Sequence, residues 1–420
     1  MRKQELEKRR MMDGDTMVVG IDIGKYHHWV SVVVDGEEVS SFKIFHCGHG
    51  FRVLLDRVER LRQRYEKTKV VVGMEPTGHY WYALAYFLDR HKIPMVTVNP
   101  YHVKQLKELG DNSPLKSDPK DAWVVADLVV SGKYFSVILP KGVYAHLRKL
   151  GKMRDALVTK RAAHRNILLR ILDVIFPEYA QCFSDVLGKT SVYLLRHYPG
   201  LDALVSLGVE HLAEILRSQS HRRLGAAKAK LLIEVASDSV GVTEFLESSL
   251  LELEQTLDTL ELYTRQIADV EQQQAAYLSQ VPYAEYLLSI PGVGAVTCAT
   301  LLGEIGDFGR YRSADEVIKL AGLNLYEISS GMHKGRKRIS KRGRSLLRKV
   351  LYHIVLSAIR CAEGFRERYA AMKARNVPSL KALVAMMTKM VRVMVALVKQ
   401  EEMFSSEKVR VKAYPRKLVA

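Results

Sequence analysis

Four carboxylates stand at positions where a divalent-metal site could form. Asp22 lies inside the apolar run VVGIDIG, and Glu75 directly follows the apolar run KVVVGM. Asp118 and Asp121 are three residues apart at the start of a predicted helix, which puts both on one helical face. Clustered carboxylates need cations to stay ionised, and hard oxygen ligands of this kind suit Mg²⁺ or Mn²⁺. The pattern predicts metal-assisted phosphodiester chemistry, in which one oxygen is activated and the leaving oxygen is stabilised.

Each of these residues also has an ordinary structural interpretation. Asp118 could cap the helix N-terminus, and Asp121 could simply lie favourably in the first turn. Asp22 and Glu75 could be turn residues. Treating the four as one site therefore depends on the elements that carry them.

The predicted elements follow the order β-β-β-α-β-α-β and end near Asn99 and Pro100. Asp35-Gly36, between two β-branched runs, predicts a hairpin after the first strand. An amphipathic helix is predicted over about 51–65 and an aromatic helix over about 79–91. A short helix, a Ser/Pro/Asp-rich loop and a helix over 122–130 follow. If the strand before Glu75 pairs beside the first strand, Asp22 and Glu75 become neighbours.

The chain is strongly basic, with 64 Lys and Arg against 46 Asp and Glu and a net charge of +18. This excess predicts a polyanionic partner, although charge alone does not distinguish DNA, RNA and an acidic membrane. No run of about eighteen uncharged apolar residues is present, and no apolar stretch follows the charged N-terminus. Membrane insertion and secretion are therefore not predicted.

The four cysteines lack the paired spacing of a disulfide framework or a zinc finger. We expect reduced thiols in a cytosolic protein. His46, Cys47 and His49 lie close together in sequence, but no second ligand pair accompanies them, so a turn is favoured over zinc. The cysteines are Cys47, Cys182, Cys298 and Cys361.

A second candidate centre lies in the C-terminal part. The segment from His333 to Lys349 carries nine Lys and Arg residues and no acid, which predicts phosphate binding. Ser329, Ser330 and Gly331 directly precede it. A serine hydroxyl is a weak nucleophile, and attack on phosphate needs nearby positive charge or metal. Most Ser-Ser-Gly sequences are only turns, so both interpretations stay open. The predicted phosphate contacts are Lys334, Arg336, Lys337, Arg338, Lys341, Arg342 and Arg344.

Further segments predict nucleic-acid contacts and helix pairing. One long basic helix is predicted from Val143 to Phe176, with Arg161 and Arg165 as candidate nucleic-acid contacts. Apolar residues at heptad spacing over about 246–267 predict a coiled-coil helix, whose acidic polar face favours a protein partner or its own chain. The run SIPGVGAVTCATLL is typical of a helix-hairpin-helix, in which Gly292 and Gly294 would present backbone N–H groups to phosphate. A tight helix connection explains that run equally well.

The predicted organisation has four parts. Residues 1–140 form an α/β domain, 141–285 a helical connector with the coiled coil, 286–400 a mostly helical C-terminal domain, and 401–420 a basic, disordered tail.

Two sets of motifs together resemble one known family, the insertion-sequence-110 transposases, also called DEDD transposases or bridge recombinases. The N-terminal set is GIDIGK, MEPTGHYW, VNPYHVKQ and KSDPKDAWVVADL; the C-terminal set is IPGVGAVTCATLLGEIGD, KLAGLNLYEISSG and RISKRGRSLLRKVL. The resemblance implies an RNase H-like domain of the Holliday-junction-resolvase kind, in which Asp22, Glu75, Asp118 and Asp121 coordinate Mg²⁺. It also implies that Ser330 attacks the DNA backbone and forms a transient phosphoserine link.

The family resemblance implies partners as well: donor and target DNA, a noncoding RNA encoded by the element, and a dimer or tetramer in which the two centres meet between subunits. The expected location is the prokaryotic cytoplasm, at the nucleoid. Two departures are present: Leu325 stands where relatives commonly have proline nearby, and Ser329 duplicates the nucleophile. A junction nuclease that hydrolyses without rejoining and a non-catalytic nucleic-acid-binding assembly factor are the alternative functions.

Overall fold

The computed structural model describes residues 12–76, 78–110, 118–327 and 337–406. Contacts within the chain divide it into two compact units, Met1–Leu139 and Pro140–Ala420.

In the described residues of the first unit, six strands form one mixed sheet in the order β3-β2-β1-β4-β5-β6. Strands β1, β4 and β5 run parallel, whereas β2 is antiparallel to β1 and β3, and β6 is antiparallel to β5. The strands are β1 (Thr16–Ile23), β2 (His27–Val34), β3 (Glu37–Phe45), β4 (Lys69–Met74), β5 (Met95–Val98) and β6 (Tyr134–Ser136). The helices are α1 (Gly48–Arg64), α2 (Trp81–Arg90), α3 (Pro100–Gly110) and α4 (Asp118–Val130).

The sheet is covered by helices on both faces because its strands are apolar on both sides. In β1, Met17, Val19 and Ile21 pack into one core with side chains of α1 and α2. Val18 belongs to a second core, which contains residues of α3 and α4. Alternate residues of each strand therefore face opposite helical layers.

This arrangement confirms the predicted RNase H-like α/β class for the N-terminal part. A central order β3-β2-β1-β4-β5 with β2 antiparallel to its neighbours is the topology of that fold. Strand β6 was not predicted, because three residues after a Ser-Gly turn are too few to show a pattern. Helix α4 begins at Asp118, before the predicted start at Ala122; Pro119 in the first turn favours that earlier start, since it needs no hydrogen-bonded N–H there.

Close packing between β1 and α4 predicts a large effect of one substitution. A Cβ added at Gly20 would collide with the Ala122 carbonyl oxygen and would lie 2.5 Å from the Ala126 nitrogen. Since backbone atoms cannot move aside, we expect Gly20→Ala to lower the free energy of unfolding by about 3 kcal/mol. Gly14→Ala is the matched control, because an added Cβ there has no neighbour within 4 Å. Urea titration of both variants measures the difference, and equal stabilities would contradict this packing.

The second unit is helical. Its helices are α5 (Gly142–Ile175), α6 (Tyr179–Cys182), α7 (Lys189–His197), α8 (Leu201–Ser206), α9 (Gly208–Gln219), α10 (Ala226–Ser237), α11 (Leu246–Leu278), α12 (Ala284–Leu288), α13 (Ala295–Ile305), α14 (Ala314–Leu320), α15 (Ser345–Cys361), α16 (Glu363–Ala374) and α17 (Ser379–Gln400). A short hairpin pairs β7 (Leu325–Tyr326) with β8 (Arg338–Ile339). A turn of 3₁₀ helix covers Phe308–Arg310.

The two longest helices, α5 and α11, form an antiparallel pair. Arg154 binds Glu271 at 2.7 Å, and Arg170, farther along α5, binds Glu252 at 2.5 Å. The heptad residues Leu253, Leu257 and Leu260 of α11 are buried in a core of the same chain. The acidic face of α11 thus contacts basic side chains of the same chain. Of the two partners predicted for this face, another protein or its own chain, these contacts correspond to the second.

Two apolar cores stabilise the second unit. One gathers the end of α5, helices α6 to α10 and the first part of α11. The other is formed mainly by helices α12 to α17, including Met386, Met390 and Met394 of α17. Within the described ranges, no helix is long and apolar enough to cross a membrane.

Candidate functional site

Strand pairing brings Asp22 and Glu75 to the same level of the sheet. Strands β1 and β4 are parallel, and their last paired residues are Ile21 and Met74. Asp22 directly follows Ile21, and Glu75 directly follows Met74. The two carboxylates therefore lie side by side where the two strands reach their carboxyl ends. Both side chains are half-buried. The predicted neighbourhood of these two carboxylates is therefore present.

The two carboxylates also share a face with α4. Cβ atoms built on Gly20 and Gly73 would point at Ala126 and Val129 of α4. Asp22 and Glu75 each follow one of these glycines by two residues, and strand alternation directs their side chains to the same side. Asp121 lies in α4 directly before Ala122, whose carbonyl oxygen contacts the Gly20 position, and it is 4% exposed. Three of the four predicted carboxylates thus occupy one side of the sheet.

The metal-ligand role of these residues stays a prediction. Among the side chains that the structure describes, no group of three or more His, Cys, Asp or Glu residues is arranged to hold a metal ion. Asp118 opens α4, but its side chain lies outside the described part. The donor set nevertheless suits Mg²⁺ chemically, since it consists of carboxylate oxygens, and a nearly buried carboxylate such as Asp121 has to be compensated by donors or cations.

A pair of histidines, which sequence reasoning did not identify, supports the turn after Asp22. The Gly24 N–H donates to His28 Nδ1 at 3.1 Å, and His28 Nε2 lies 2.9 Å from His46 Nδ1. Because Nδ1 of His28 accepts a hydrogen bond from the Gly24 N–H, Nε2 of the neutral ring carries the hydrogen and donates a hydrogen bond to Nδ1 of His46. Cys47 next to this pair caps helix α1, its Sγ accepting from the Gly50 N–H at 3.4 Å. His46 and Cys47 therefore have structural contacts of their own.

The buried histidine predicts an acid-sensitive fold. Burial, together with the neighbouring His46 and His27, lowers the pKa of His28 to about 4. An unfolded histidine has a pKa of about 6.5, so between these values the unfolded chain binds more protons than the folded chain. The contribution of His28 to stability is therefore full above the unfolded pKa and decreases as pH falls toward 4, by at most about 1.4 kcal/mol per pH unit.

Urea unfolding at a series of pH values measures this dependence. We expect His28→Gln to flatten the loss of stability between about pH 6.5 and 4, because the titrating group is gone. His211→Gln, at an exposed position of α9, should keep the wild-type slope. An unchanged slope in His28→Gln would mean that other groups cause the acid sensitivity.

The candidate serine centre lies partly outside the described residues. Ser329, Ser330 and Gly331, with Lys334 and Arg336, belong to the undescribed range 328–336. The strands on either side of this range pair with each other, Tyr326 opposite Arg338. Four predicted phosphate contacts follow the range and are exposed: Lys337, Arg338, Lys341 and Arg342. These four side chains are accessible to a polyanion.

Arg344, which was predicted to contact phosphate, makes a contact within the fold. Its guanidinium is half-buried and donates to the carbonyl oxygen of Glu304 in α13. Its backbone N–H donates to the Leu320 carbonyl oxygen at 2.9 Å. Arg348 is also used within the fold, donating to the carbonyl oxygens of Ala321 and Gly343. Arg344 and Arg348 therefore anchor the start of α15, whereas Lys337, Arg338, Lys341 and Arg342 are exposed.

The PGVG run connects two helices. Gly292 has a φ of +87°, and a Cβ at this position would lie 2.5 Å from the Ser357 side chain, so the turn requires glycine. Gly294 precedes the first residue of α13 and is exposed, with open space where a Cβ would project. This geometry fits a helix-hairpin-helix and a tight helix connection alike, and the phosphate role of both glycines stays a prediction.

Some basic side chains of α5 form ion pairs within the chain, and others are exposed to solvent. Arg154 and Arg170 bind acids of α11, as described above. Arg165 is exposed and Arg161 is half-buried. Of the two predicted nucleic-acid contacts on this helix, Arg165 is thus the more accessible.

Comparisons with known proteins agree with these features. A family model described as "Transposase", of the DEDD insertion-sequence-110 type, matches residues 19–177, and the model "Transposase IS116/IS110/IS902 family" matches residues 284–370. The first match contains all four carboxylates, and the second contains the PGVG run and the basic segment. Together the two matches cover more than half of the chain.

Two curated relatives illustrate matches along almost the whole chain. The insertion element IS116 uncharacterized 44.8 kDa protein of Streptomyces clavuligerus is 26% identical over 393 residues, which cover 93% of this chain and 96% of the relative. The transposase for insertion sequence element IS1111A of Coxiella burnetii is 24% identical and covers 90% of this chain and 92% of its own length.

A search of solved structures found Thermus thermophilus RuvC in complex with a Holliday junction substrate, at 17% identity and a TM-score of 0.22, covering 29% of this chain and 99% of that protein. The two family models and the full-length relatives agree on one assignment. The chain belongs to the IS110/IS116 family of insertion-sequence transposases.

Proposed function

We propose that this transposase cuts and rejoins DNA through a serine nucleophile, Ser330, at a centre that also uses Mg²⁺ held by Asp22, Glu75, Asp118 and Asp121. The observation that carries the proposal is the placement of Asp22, Glu75 and Asp121 on one side of the sheet, where β1 and β4 end. Carboxylates at that place would be of little use to a protein that only binds nucleic acid.

The carboxylates would bind the ions and fix their position. Asp22 and Glu75 stand on paired strands, so their spacing is set by the sheet, and Asp121 stands on a helix packed against the same strands. Rigid elements of this kind hold ligands more accurately than loops do. When bound, Mg²⁺ supplies positive charge that stabilises phosphate oxygens during transfer.

The serine step is a phosphoryl transfer. The Ser330 hydroxyl loses its proton, its Oγ forms a bond to phosphorus, and the bond between that phosphorus and one deoxyribose oxygen breaks. The leaving oxygen takes up a proton, and the strand stays linked to the protein as a phosphoserine ester. Attack by a deoxyribose hydroxyl of another strand reverses the step and frees Ser330. Exposed cations after the serine segment, such as Lys337 and Arg338, would stabilise the developing anion.

The proposed complex includes donor DNA, target DNA and a noncoding RNA encoded by the element. Support comes from the net charge of +18, the exposed basic side chains of α5 and the family resemblance. RNA pairing would provide base recognition, as in other guided systems. We further propose a dimer or tetramer in which Ser330 of one subunit acts with the carboxylates of another, and action on nucleoid DNA in the prokaryotic cytoplasm. Mn²⁺ would substitute for Mg²⁺ because it prefers the same ligands.

Co-purification from a host that carries the whole element tests this function. The bound RNA is sequenced, and the purified complex is incubated with the element's own DNA with and without Mg²⁺. Recombined strands that require both an element-derived RNA and Mg²⁺ are the expected result. Nicked DNA ends without recombined strands would instead identify a junction nuclease, and unchanged DNA under every RNA and metal condition would identify a binding protein.

A further inference from the structure

The carboxylate side of the sheet continues across β2 and β3 as a row of aromatic and basic residues. Asp22 pairs with Trp29, and Trp29 pairs with Lys43. The next pair of the same two strands on this side is His27 with Phe45. Paired residues, and residues two apart, point to the same face of a sheet. The row therefore begins at the candidate metal ligands and ends at the edge strand β3.

The outer end of this row carries large aromatic side chains that are unusually exposed. Phe45 is 64% exposed, although Phe42 and Ile44 in the same strand are buried on the other face. Tyr26, in the turn between β1 and β2, is 69% exposed. Its carbonyl oxygen accepts the His46 N–H at 2.9 Å, which keeps Tyr26 beside the end of β3. Two large aromatic side chains thus face outward at the same end of the strands as the carboxylates.

Cations accompany both aromatic residues. Lys25 Nζ lies 4.8 Å from the centre of the Tyr26 ring, and Lys25 and Lys43 are exposed. Aromatic faces alternating with cations are typical of surfaces that bind unpaired nucleotides, since bases stack on the rings and phosphates lie along the cations. A protein partner would instead favour a contiguous apolar patch, which the interleaved Lys and His residues interrupt.

We propose that Phe45 and Tyr26 form a stacking platform for an unpaired DNA base next to the phosphodiester that is cut at the carboxylate centre. The inference rests on the proposed function, and it adds a requirement to it: the DNA strand must be locally unpaired on the β3 side of Asp22. Lys25 and Lys43 would contact the backbone of that nucleotide. Neither aromatic residue is needed by the core, because both are mostly exposed.

A stacking-sensitive fluorescent adenine analogue tests the platform. It is placed at an unpaired position of an otherwise duplex DNA, and binding to the full chain is followed without divalent metal, so that no strand is cut. Wild-type protein should quench the analogue. Loss of an aromatic stacking partner usually weakens binding roughly 5- to 150-fold, and we expect an effect in this range for Phe45→Ala. Phe45→Trp should retain binding, whereas Phe45→Leu, which is apolar but has no π face, should not.

Phe135→Ala is the matched control, because Phe135 is 49% exposed on β6, at the opposite edge of the same sheet. Equal binding by wild type and Phe45→Ala would overturn the platform. Quenching of the analogue only when it is placed in an RNA strand, and not in DNA, would also overturn it. Failure of the proposed function has a different signature: neither wild-type protein nor Phe45→Ala then yields recombined DNA with Mg²⁺. If Phe45→Ala abolishes quenching while its thermal unfolding matches that of wild type, the platform is supported.

Discussion

Asp22→Asn, Glu75→Gln and Asp121→Asn are each expected to reduce DNA strand exchange by at least about 10²-fold while the protein remains folded. Each change replaces a charged carboxylate oxygen by a neutral amide of almost the same shape. The packing of β1, β4 and α4 is therefore preserved, and the affinity for a divalent cation is lost. The rate of product formation over a range of Mg²⁺ concentrations measures the effect, and a chelator should reproduce the defect in wild-type protein.

Asp127→Asn supplies the control for these variants. Asp127 lies on α4 with Asp121 but is half-exposed, and it is not on the helix face whose Ala122, Ala126 and Val129 meet the sheet. We expect wild-type rates from Asp127→Asn. If Asp22→Asn, Glu75→Gln and Asp121→Asn also retained wild-type rates at limiting Mg²⁺, the carboxylates would have only structural roles, and the metal assignment would be wrong.

Ser330→Ala is expected to lower strand exchange by at least about 10³-fold, because removal of a covalent nucleophile eliminates the reaction path rather than slowing one step. DNA binding should be unchanged, since the exposed cations of the segment, among them Lys341 and Arg342, are retained. Binding and rate are therefore measured separately on the same preparation.

Ser329→Ala is the matched control, because it removes the hydroxyl next to Ser330. The Ser329→Ala protein should keep near wild-type rates. The opposite pattern, with Ser329→Ala inactive and Ser330→Ala active, would assign the nucleophile to Ser329. Near wild-type rates in the double variant would exclude serine chemistry in this segment altogether.

The order of elements around the carboxylates could be predicted because each has its own local signal. The apolar run around Asp22, the apolar run before Glu75 and the Asp35-Gly36 turn each identify a strand or hairpin without reference to the rest of the chain. The run KVVVGM corresponds to β4 as observed. Strand β6 escaped prediction because its pairing with β5 depends on tertiary contacts and not on a pattern in three residues.

The site was only partly predictable for a similar reason. Carboxylates inside apolar runs are conspicuous because burial of charge is costly, so Asp22 and Glu75 could be found from sequence. The row through Trp29 and Phe45 could not, since it depends on the register between three strands. The anchoring role of Arg344 likewise depends on a carbonyl oxygen in α13, which is distant in sequence and carries no side-chain signal.

A covalent link between Ser330 and DNA is the central claim, and peptide mapping of the trapped adduct tests it most directly. Wild-type protein is incubated with the element's DNA, its RNA and Mg²⁺, the reaction is stopped with denaturant, and the protein-linked nucleotide is located by mass spectrometry after digestion. We predict a phosphoester-linked nucleotide on the peptide that contains Ser330, and none in the Ser330→Ala protein. Efficient strand exchange with no protein-linked DNA, or an adduct on another residue, would contradict it.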